Sequence, residues 1–314
     1  MTRAPAQSSV PGKAILFGEH AVVYGEPAIA VPVARVGATA YVETARSGSG
    51  LTLIAPDLGE SIELDSAPGD AALAVAARLT LEHLVAPIPD ATLTVQSTIR
   101  MASGLGSGAA VATAVVRVLG EFLGASLSPA EVSALVYEVE KIHHGTPSGI
   151  DNTVIAYERP VYFVRSAASG PELMTVGAPF GLVIADTGLP SPTKRLVDQV
   201  RAGWERETAR YEELFQRIGQ IVREARQRIE AGEADSLGPL MDANHALLVK
   251  LGVSSPALEN LVDAARTAGA LGAKLSGAGQ GGILLALAPP RSSAKVADAL
   301  RNAGAVRTIQ TTVS

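Results

Sequence analysis

The segment Gly104-Leu105-Gly106-Ser107-Gly108-Ala109-Ala110 is almost without side chains, and it joins a strand-like run to a helix-like one. Upstream, Leu93, Val95, Ile99 and Met101 fall on alternate positions with Ser97 as the gap; downstream, Ala109 to Val118 is apolar with only Arg117 charged. A chain that runs strand, glycine turn, buried helix presents bare N–H groups at a helix N-terminus, where the dipole adds roughly half a positive charge. Glycine also admits φ > 0 and lets an anion approach to backbone distance. The segment points to a phosphorylated ligand, and by itself leaves two other readings open. One is a tight turn packed under a helix. The other is a dinucleotide fingerprint, since Gly104, Gly106 and Ala109 fit GxGxxA, and Gly277, Gly279 and Gly282 fit GxGxxG. Context weighs against the fingerprint. Ile283 to Leu287 reads as a strand where a helix is required, and Glu131, the acidic residue beyond the first loop, belongs to the capping box Ser128-Pro129-Ala130-Glu131. A Walker A loop is excluded because no GxxxxGK[ST] occurs.

With 26 Lys and Arg against 31 Asp and Glu, the net charge of −5 over 314 residues offers no basic footprint for nucleic acid and no polybasic patch for a membrane. No apolar run approaches the ~20 residues that span a bilayer. Residues Met1 to Ser9 are polar and read as a short frayed tail without the apolar core of a signal peptide. The absence of cysteine removes disulfides, thiolate metal sites and a thiol nucleophile together, and a cytoplasmic enzyme acting on a small molecule fits.

Strand-like runs dominate the first half: Ala14 to Phe17, Ala28 to Val33, Ala38 to Thr44 and Leu51 to Ile54. Helices are expected over Ala71 to Leu84, after the glycine loop, and from Pro129 to His143. In the last of these, Val132, Leu135, Val136, Val139 and Ile142 form the apolar stripe, Glu140 stands at its edge, and Gly145 ends the helix. A strand from Leu182 to Ala185 opens the second half. A long amphipathic segment follows from Pro192 to Ile229, with a bend expected near Gly203 and Trp204, Tyr211, Leu214, Phe215, Ile218, Val222 and Ile229 on its buried side. Helices at Ala234 to Leu248 and Pro256 to Ala268, a glycine-rich turn, a strand from Gly282 and a final helix and strand complete an α+β half.

Three further segments carry chemistry. Pro11-Gly12-Lys13-Ala14-Ile15-Leu16-Phe17-Gly18-Glu19-His20 packs Lys, Glu and His around a short apolar strand, whose end can point such groups into a cleft or merely expose them. Glu140-Lys141-Ile142-His143-His144-Gly145-Thr146-Pro147-Ser148-Gly149-Ile150-Asp151-Asn152 sets two carboxylates, Glu140 and Asp151, either side of a turn. Phosphoryl transfer uses such a pair, one to hold Mg²⁺ and one to accept or orient the hydroxyl proton of the nucleophile. His143 and His144 are read as favouring the helix dipole, and without HExxH a zinc site is not expected. Lys274-Leu275-Ser276-Gly277-Ala278-Gly279-Gln280-Gly281-Gly282 is a second backbone-rich loop, read as joining a helix to a strand.

These four segments, in this order, resemble the superfamily of galactokinase, homoserine kinase, mevalonate kinase and phosphomevalonate kinase over nearly the whole chain. The mevalonate kinase family is the closest likeness, through PGKAILFGEHAVVYG, IHHGTPSGIDN and KLSGAGQGG. The resemblance implies a two-domain α+β fold, an N-terminal nucleotide-binding domain like ribosomal protein S5 over 1–180 and a ferredoxin-like C-terminal domain over 181–314, with the site in the cleft between. It implies ATP and mevalonate as substrates, Mg²⁺ as cofactor and 5-phosphomevalonate as product for isoprenoid synthesis, and it is compatible with a homodimer. A sister kinase such as phosphomevalonate kinase, or a diphosphomevalonate-decarboxylase-like lyase, is the alternative.

Carried over by motif, Asp151 is the base and Lys13 the stabiliser of the transferred phosphoryl, while Glu140 and Ser107 hold the metal. Gly104, Leu105, Gly106, Ser107, Gly108 and Ala109 cradle the nucleotide phosphates, with Gly277, Ala278 and Gly279 closing that side. Glu19, His20 and Thr193 bind the acceptor. No motif marks the residues that grip adenine, for which Leu51 to Leu73 is the region expected. Two positions depart from the family. Gly108 replaces a serine that is a usual metal ligand, and Arg100, read as solvated, replaces a common proline.

Overall fold

Helices and strands form where apolar periodicity meets turn residues, as a computed structural model shows for residues 3–144, 147–165 and 171–314. In chain order they are β1 (Ala6–Phe17), β2 (Ala28–Thr44), β3 (Leu51–Ala55), β4 (Glu60–Glu63), α1 (Ala72–His83), β5 (Ala91–Ser97), α2 (Ser107–Leu123) and α3 (Pro129–His144). Then come α4 (Ile150–Tyr157), β6 (Val161–Phe163), β7 (Glu172–Leu173), β8 (Phe180–Asp186), α5 (Thr193–Arg206) and α6 (Thr208–Glu230). The chain closes with α7 (Leu237–Lys250), α8 (Pro256–Thr267), β9 (Gly272–Ser276), β10 (Ile283–Leu287), α9 (Pro290–Asn302) and β11 (Arg307–Val313). Two compact units emerge: the described residues of Met1–Gly12, Val36–Arg100 and Gly106–Glu158, and those of Lys13–Arg35, Met101–Leu105 and Arg159–Ser314.

In the first unit the strand order is β4-β3-β5-β2, with β3 parallel to β5 and the other neighbours antiparallel. Alternate residues Leu51, Leu53, Ala91, Leu93 and Val95 are buried, as a half-covered sheet requires. Helix α2 is buried almost all round, and its Ala109, Ala110, Ala112 and Ala114 let neighbouring helices come close. The capping box is present: Ser128 N donates to Glu131 Oε2 at 2.8 Å and Glu131 N donates to Ser128 Oγ at 3.3 Å. Glu131 is therefore employed at a helix start.

In the second unit β8, β9, β10 and β11 form an antiparallel sheet ordered β11-β8-β10-β9. Numbered within that sheet the order is 4-1-3-2, with helices α5 to α8 between its first two strands and α9 between its last two, which is the ferredoxin-like arrangement. The first half of β2 pairs with β6, and β6 with β7. The 3-10 turn Ala21–Tyr24 leans on α6: Tyr24 stacks on Phe215 at 4.1 Å, Arg223 donates to Glu26 at 2.7 Å, and a Cβ at Gly219 would overlap the Glu26 carboxylate.

Several expectations need correction. Ala6 to Ser9 are not frayed but begin β1, which pairs with β2. Ala6 and Val10 are buried, and the Ser9 and Thr39 hydroxyls bond at 3.0 Å, so small polar residues here serve a strand. Met1 and Thr2 lie outside the described residues. The runs Ala28 to Val33 and Ala38 to Thr44 are one strand, β2. Strand β5 stops at Ser97, leaving Met101 exposed, and Ile142 is exposed on α3. Gly145 lies outside the described residues. The amphipathic segment breaks at Glu207 rather than Gly203, because Gly203 stays helical and bare where the Tyr211 ring packs against it. Trp204 is only half-buried there.

Candidate active site

In the second unit the end of β1 delivers Lys13, only 4% exposed, whose N–H donates to Leu105 O at 3.0 Å. Two residues on, Ile15 N donates to Ser276 Oγ at 3.1 Å, and that hydroxyl donates back to Ile15 O at 2.8 Å. The motif strand is thereby fastened to β9. The next turn carries Glu19, 1% exposed, and His20, which adopts φ 61°. Such a left-handed conformation is strained for a histidine and needs fixing by its surroundings.

The fixing is visible. His20 Nε2 lies 2.9 Å from Ala278 O, and a carbonyl only accepts, so Nε2 carries the proton. Burial pushes the imidazole below its usual range, and the ring is neutral with Nδ1 left as an acceptor. Lys274 Nζ donates to Glu19 Oε1 and to Leu275 O, the latter at 2.7 Å. Burial pushes the Glu19 carboxyl up and the Lys274 ammonium down, and each group opposes the other's shift.

The loop after Lys274 joins two antiparallel strands, β9 and β10, and not a helix to a strand as its sequence reads. Gly277 and Gly279 both have positive φ, +87° and +98°. A Cβ on Gly277 would lie 4.0 Å from Gly104 Cα, so two backbone-rich segments adjoin. Gly279 is bare for an internal reason as well: any Cβ would overlap Val253 O, to which Gln280 N donates at 2.8 Å. Thr193 opens α5 with its N–H on Ser191 O at 2.9 Å, and Ser191 Oγ donates to Gly279 O at 2.8 Å, so the threonine's loop is tied to the same hairpin.

In the first unit Gly106, at φ 76°, precedes α2 and Ser107 begins it, the anion-binding start that the sequence anticipates. Ser107 Oγ donates to Ile99 O at 3.5 Å, and Ala109 is buried. Glu140, 6% exposed on α3, lies over this helix start: a Cβ at Gly108 would be 3.2 Å from its Oε1. Asp151 sits half-buried in the first turn of α4, which packs on α2 and α3. Behind it Asn152 Nδ2 donates to Ser133 O at 3.0 Å and anchors the turn. No group of three or more acidic or histidine residues that could enclose a metal occurs among the described residues. A carboxylate and a hydroxyl at a helix start suit Mg²⁺, which keeps waters and shares substrate phosphates. Arg100 is half-buried and engaged rather than solvated. A pocket lined by Leu64, Asp65, Arg78, Leu81 and Ile88 lies beside the stretch expected for adenine.

Sequence reading assigned nothing to Lys274, His245 or Ser276. Lys274 stands inside β9, where every residue is buried, and nothing local in the sequence separates it from a surface lysine.

No described helix is long and apolar enough to cross a membrane. The model for the GHMP kinases N terminal domain matches residues 70–159, and that for GHMP kinases C terminal matches residues 223–306. The chain is 37% identical to a mevalonate kinase of Thermococcus sibiricus, over 95% of this chain and 93% of that one, and equally to one of Pyrococcus horikoshii with the same coverage. Among solved structures, the L. major mevalonate kinase in complex with R-mevalonate superposes with a TM-score of 0.84 at 28% identity, covering 100% and 97% of the two chains. The Methanococcus jannaschii mevalonate kinase does so with the same TM-score at 26%, covering 99% of each.

Proposed function

The chain belongs to the GHMP kinases, and from that premise we propose that it transfers the γ-phosphoryl group of ATP to the primary hydroxyl of mevalonate, giving 5-phosphomevalonate and ADP. The observation that carries this reading is that the buried Lys13, Glu19 and His20 neighbour the β9–β10 hairpin, Glu19 on Lys274 of β9 and His20 on Ala278 of its glycine loop, in a chain alike from end to end to mevalonate kinases.

Each role is carried over by motif from the family likeness, with a physical reason for the residue type. Asp151 accepts the proton of the acceptor hydroxyl as its oxygen attacks the γ-phosphorus and the bond to the β-phosphate oxygen breaks. Lys13 stabilises charge on the transferred group. The loop from Gly104 to Ala109 and the start of α2 hold the nucleotide phosphates through backbone N–H groups, and Gly277 to Gly279 add to them. Glu140 and Ser107 hold Mg²⁺, which neutralises phosphate charge when bound. His20, neutral with its Nε2 proton given to Ala278 O, offers Nδ1 to a substrate hydroxyl, and Glu19 and Thr193 complete the acceptor side.

A coupled ADP-release screen over mevalonate, phosphomevalonate, galactose and homoserine tests the reading. Mevalonate is expected to exceed the others in kcat/KM by at least about tenfold, a discrimination that buried polar contacts readily supply. A better phosphomevalonate rate would make the protein the sister kinase, and CO₂ release with a diphosphorylated acceptor would make it the lyase.

A further inference from the structure

A buried hydrogen-bond chain that carries no charge runs past Asp151 on both sides. Asn152 Nδ2 donates to Ser133 O at 3.0 Å and to Ser133 Oγ at 2.9 Å, so the amide is spent on a single residue of α3. Thr153 Oγ1 donates to Gly149 O at 2.6 Å, which commits its proton and leaves its oxygen to accept from Ser133 Oγ at 3.4 Å. The protons therefore run one way, from Asn152 to Ser133 to Thr153 to Gly149. Ser133, Asn152 and Thr153 are exposed by 8% or less. A buried polar chain in which every donor finds an acceptor holds its members to one geometry, a constraint that apolar side chains filling the same space would not impose.

This chain fixes the start of α4. Gly149, at φ 89°, precedes Asp151, and Asn152 and Thr153 follow it, so the backbone on either side of the carboxylate is tied to Ser133. The far end of the helix is held from α2, where Arg117 Nη2 donates to Ala156 O at 2.7 Å. Ser133 and Glu140 are seven residues apart on α3, close to two full turns, so they share a face about 10 Å apart along the axis. The anchor of the Asp151 turn and the carboxylate assigned to Mg²⁺ thus stand on one side of one helix.

We propose that Asn152 is a positioning residue that acts through Ser133: it holds Asp151 at a set distance from Glu140, and so places the base where the acceptor hydroxyl meets the γ-phosphoryl group. The proposal rests on the readings of Asp151 and Glu140 given above. Phosphoryl transfer tolerates little error in such placement, since a displacement of about 1 Å can cost about a hundredfold in rate.

Asn152→Ala removes both bonds to Ser133 without leaving a buried charge alone. Its kcat is expected to fall by at least about thirtyfold, while nucleotide affinity, read by calorimetry, stays within about twofold of the parent. A merely structural asparagine lowers kcat and nucleotide affinity together, and that pattern overturns the proposal. A double-mutant cycle with Asp151→Asn reads the route: once the carboxylate is gone there is nothing left to place, so Asn152→Ala is expected to cost less than about threefold in that background. Ser133→Ala removes one hydroxyl and keeps Ser133 O. It is the milder variant where Asn152→Ala fails to fold, with an expected loss of about three- to tenfold in kcat that again vanishes beside Asp151→Asn. Parental kcat in Asn152→Ala, or in Ser133→Ala where that is the variant that folds, overturns the proposal while leaving Asp151 as the base. So does an equal loss with and without the Asp151 carboxylate. If Asp151→Asn itself keeps the parental kcat, the reading of Asp151 is wrong and the proposal falls with it.

Discussion

Gly108 and Glu140 face each other across the start of α2, with only 3.2 Å between Oε1 and the place a Cβ on the glycine would take. The position lies inside the helix and is not among those of positive φ, so a side chain is compatible with its backbone. Gly108→Ser would set a hydroxyl beside the carboxylate. The expected outcome is a severalfold lower Mg²⁺ requirement in initial-rate titrations at fixed ATP, since the added hydroxyl would give the ion a further protein oxygen. An unchanged requirement would mean that water already serves as well.

Glu140→Gln keeps the shape of that side chain and removes its charge. Its half-saturating Mg²⁺ is expected to rise by about tenfold or more, with KM for mevalonate held within twofold. If the metal dependence does not move, another group holds the ion.

Asp151→Asn is expected to lower kcat by about 10²–10⁴-fold, the range that a positioned general base supplies. Nucleotide affinity, read by calorimetry, should remain at the parental value. Retention of most turnover would remove Asp151 from the chemistry.

His20 and His245 are both pushed below the usual histidine range by burial. Their folded forms bind a proton less readily than the unfolded chain, so stability is present in full above about pH 6.5 and declines as pH falls below it. Each histidine contributes a slope of up to about 1.4 kcal/mol per pH unit. Urea unfolding between pH 7.5 and 5.5 measures it. A flat profile over that window contradicts the downward shift of both imidazoles.

Gly279→Ala combines a backbone conformation that alanine resists with an overlap on Val253 O, and the neighbour is main chain that cannot rotate aside. A loss of about 2 kcal/mol or more is expected, visible as a lower midpoint in thermal unfolding. A stable variant would show that the hairpin loop can relax away from Val253.

Where the sequence was legible, a local rule decided the outcome. Ser128 and Glu131 cap α3 because the box needs only residues three apart, and the strand–glycine–helix order around Gly106 was readable for the same reason. Ala6 to Ser9 escaped because polar residues gain a strand only from a partner, β2, that local composition does not show. Gly203 misled in the opposite sense: its lack of a side chain answers the Tyr211 ring, not a bend. Lys274 was quoted within its motif yet given no work, since a lysine reads as surface until the carboxylate 255 residues away is known to meet it. The order of the four-stranded sheet followed from a family likeness, and not from periodicity, which carries no information about which strands become neighbours.

Gly219, on α6, leaves the gap into which the Glu26 carboxylate fits, just past the turn that bears Glu19 and His20. That helix carries no recognisable motif. A methyl group at 219 would meet the Glu26 carboxylate and displace it from its contact with Arg223. The bare position on α6 thereby fixes where the Ala21–Tyr24 turn rests, a dependence that no motif in the chain announces.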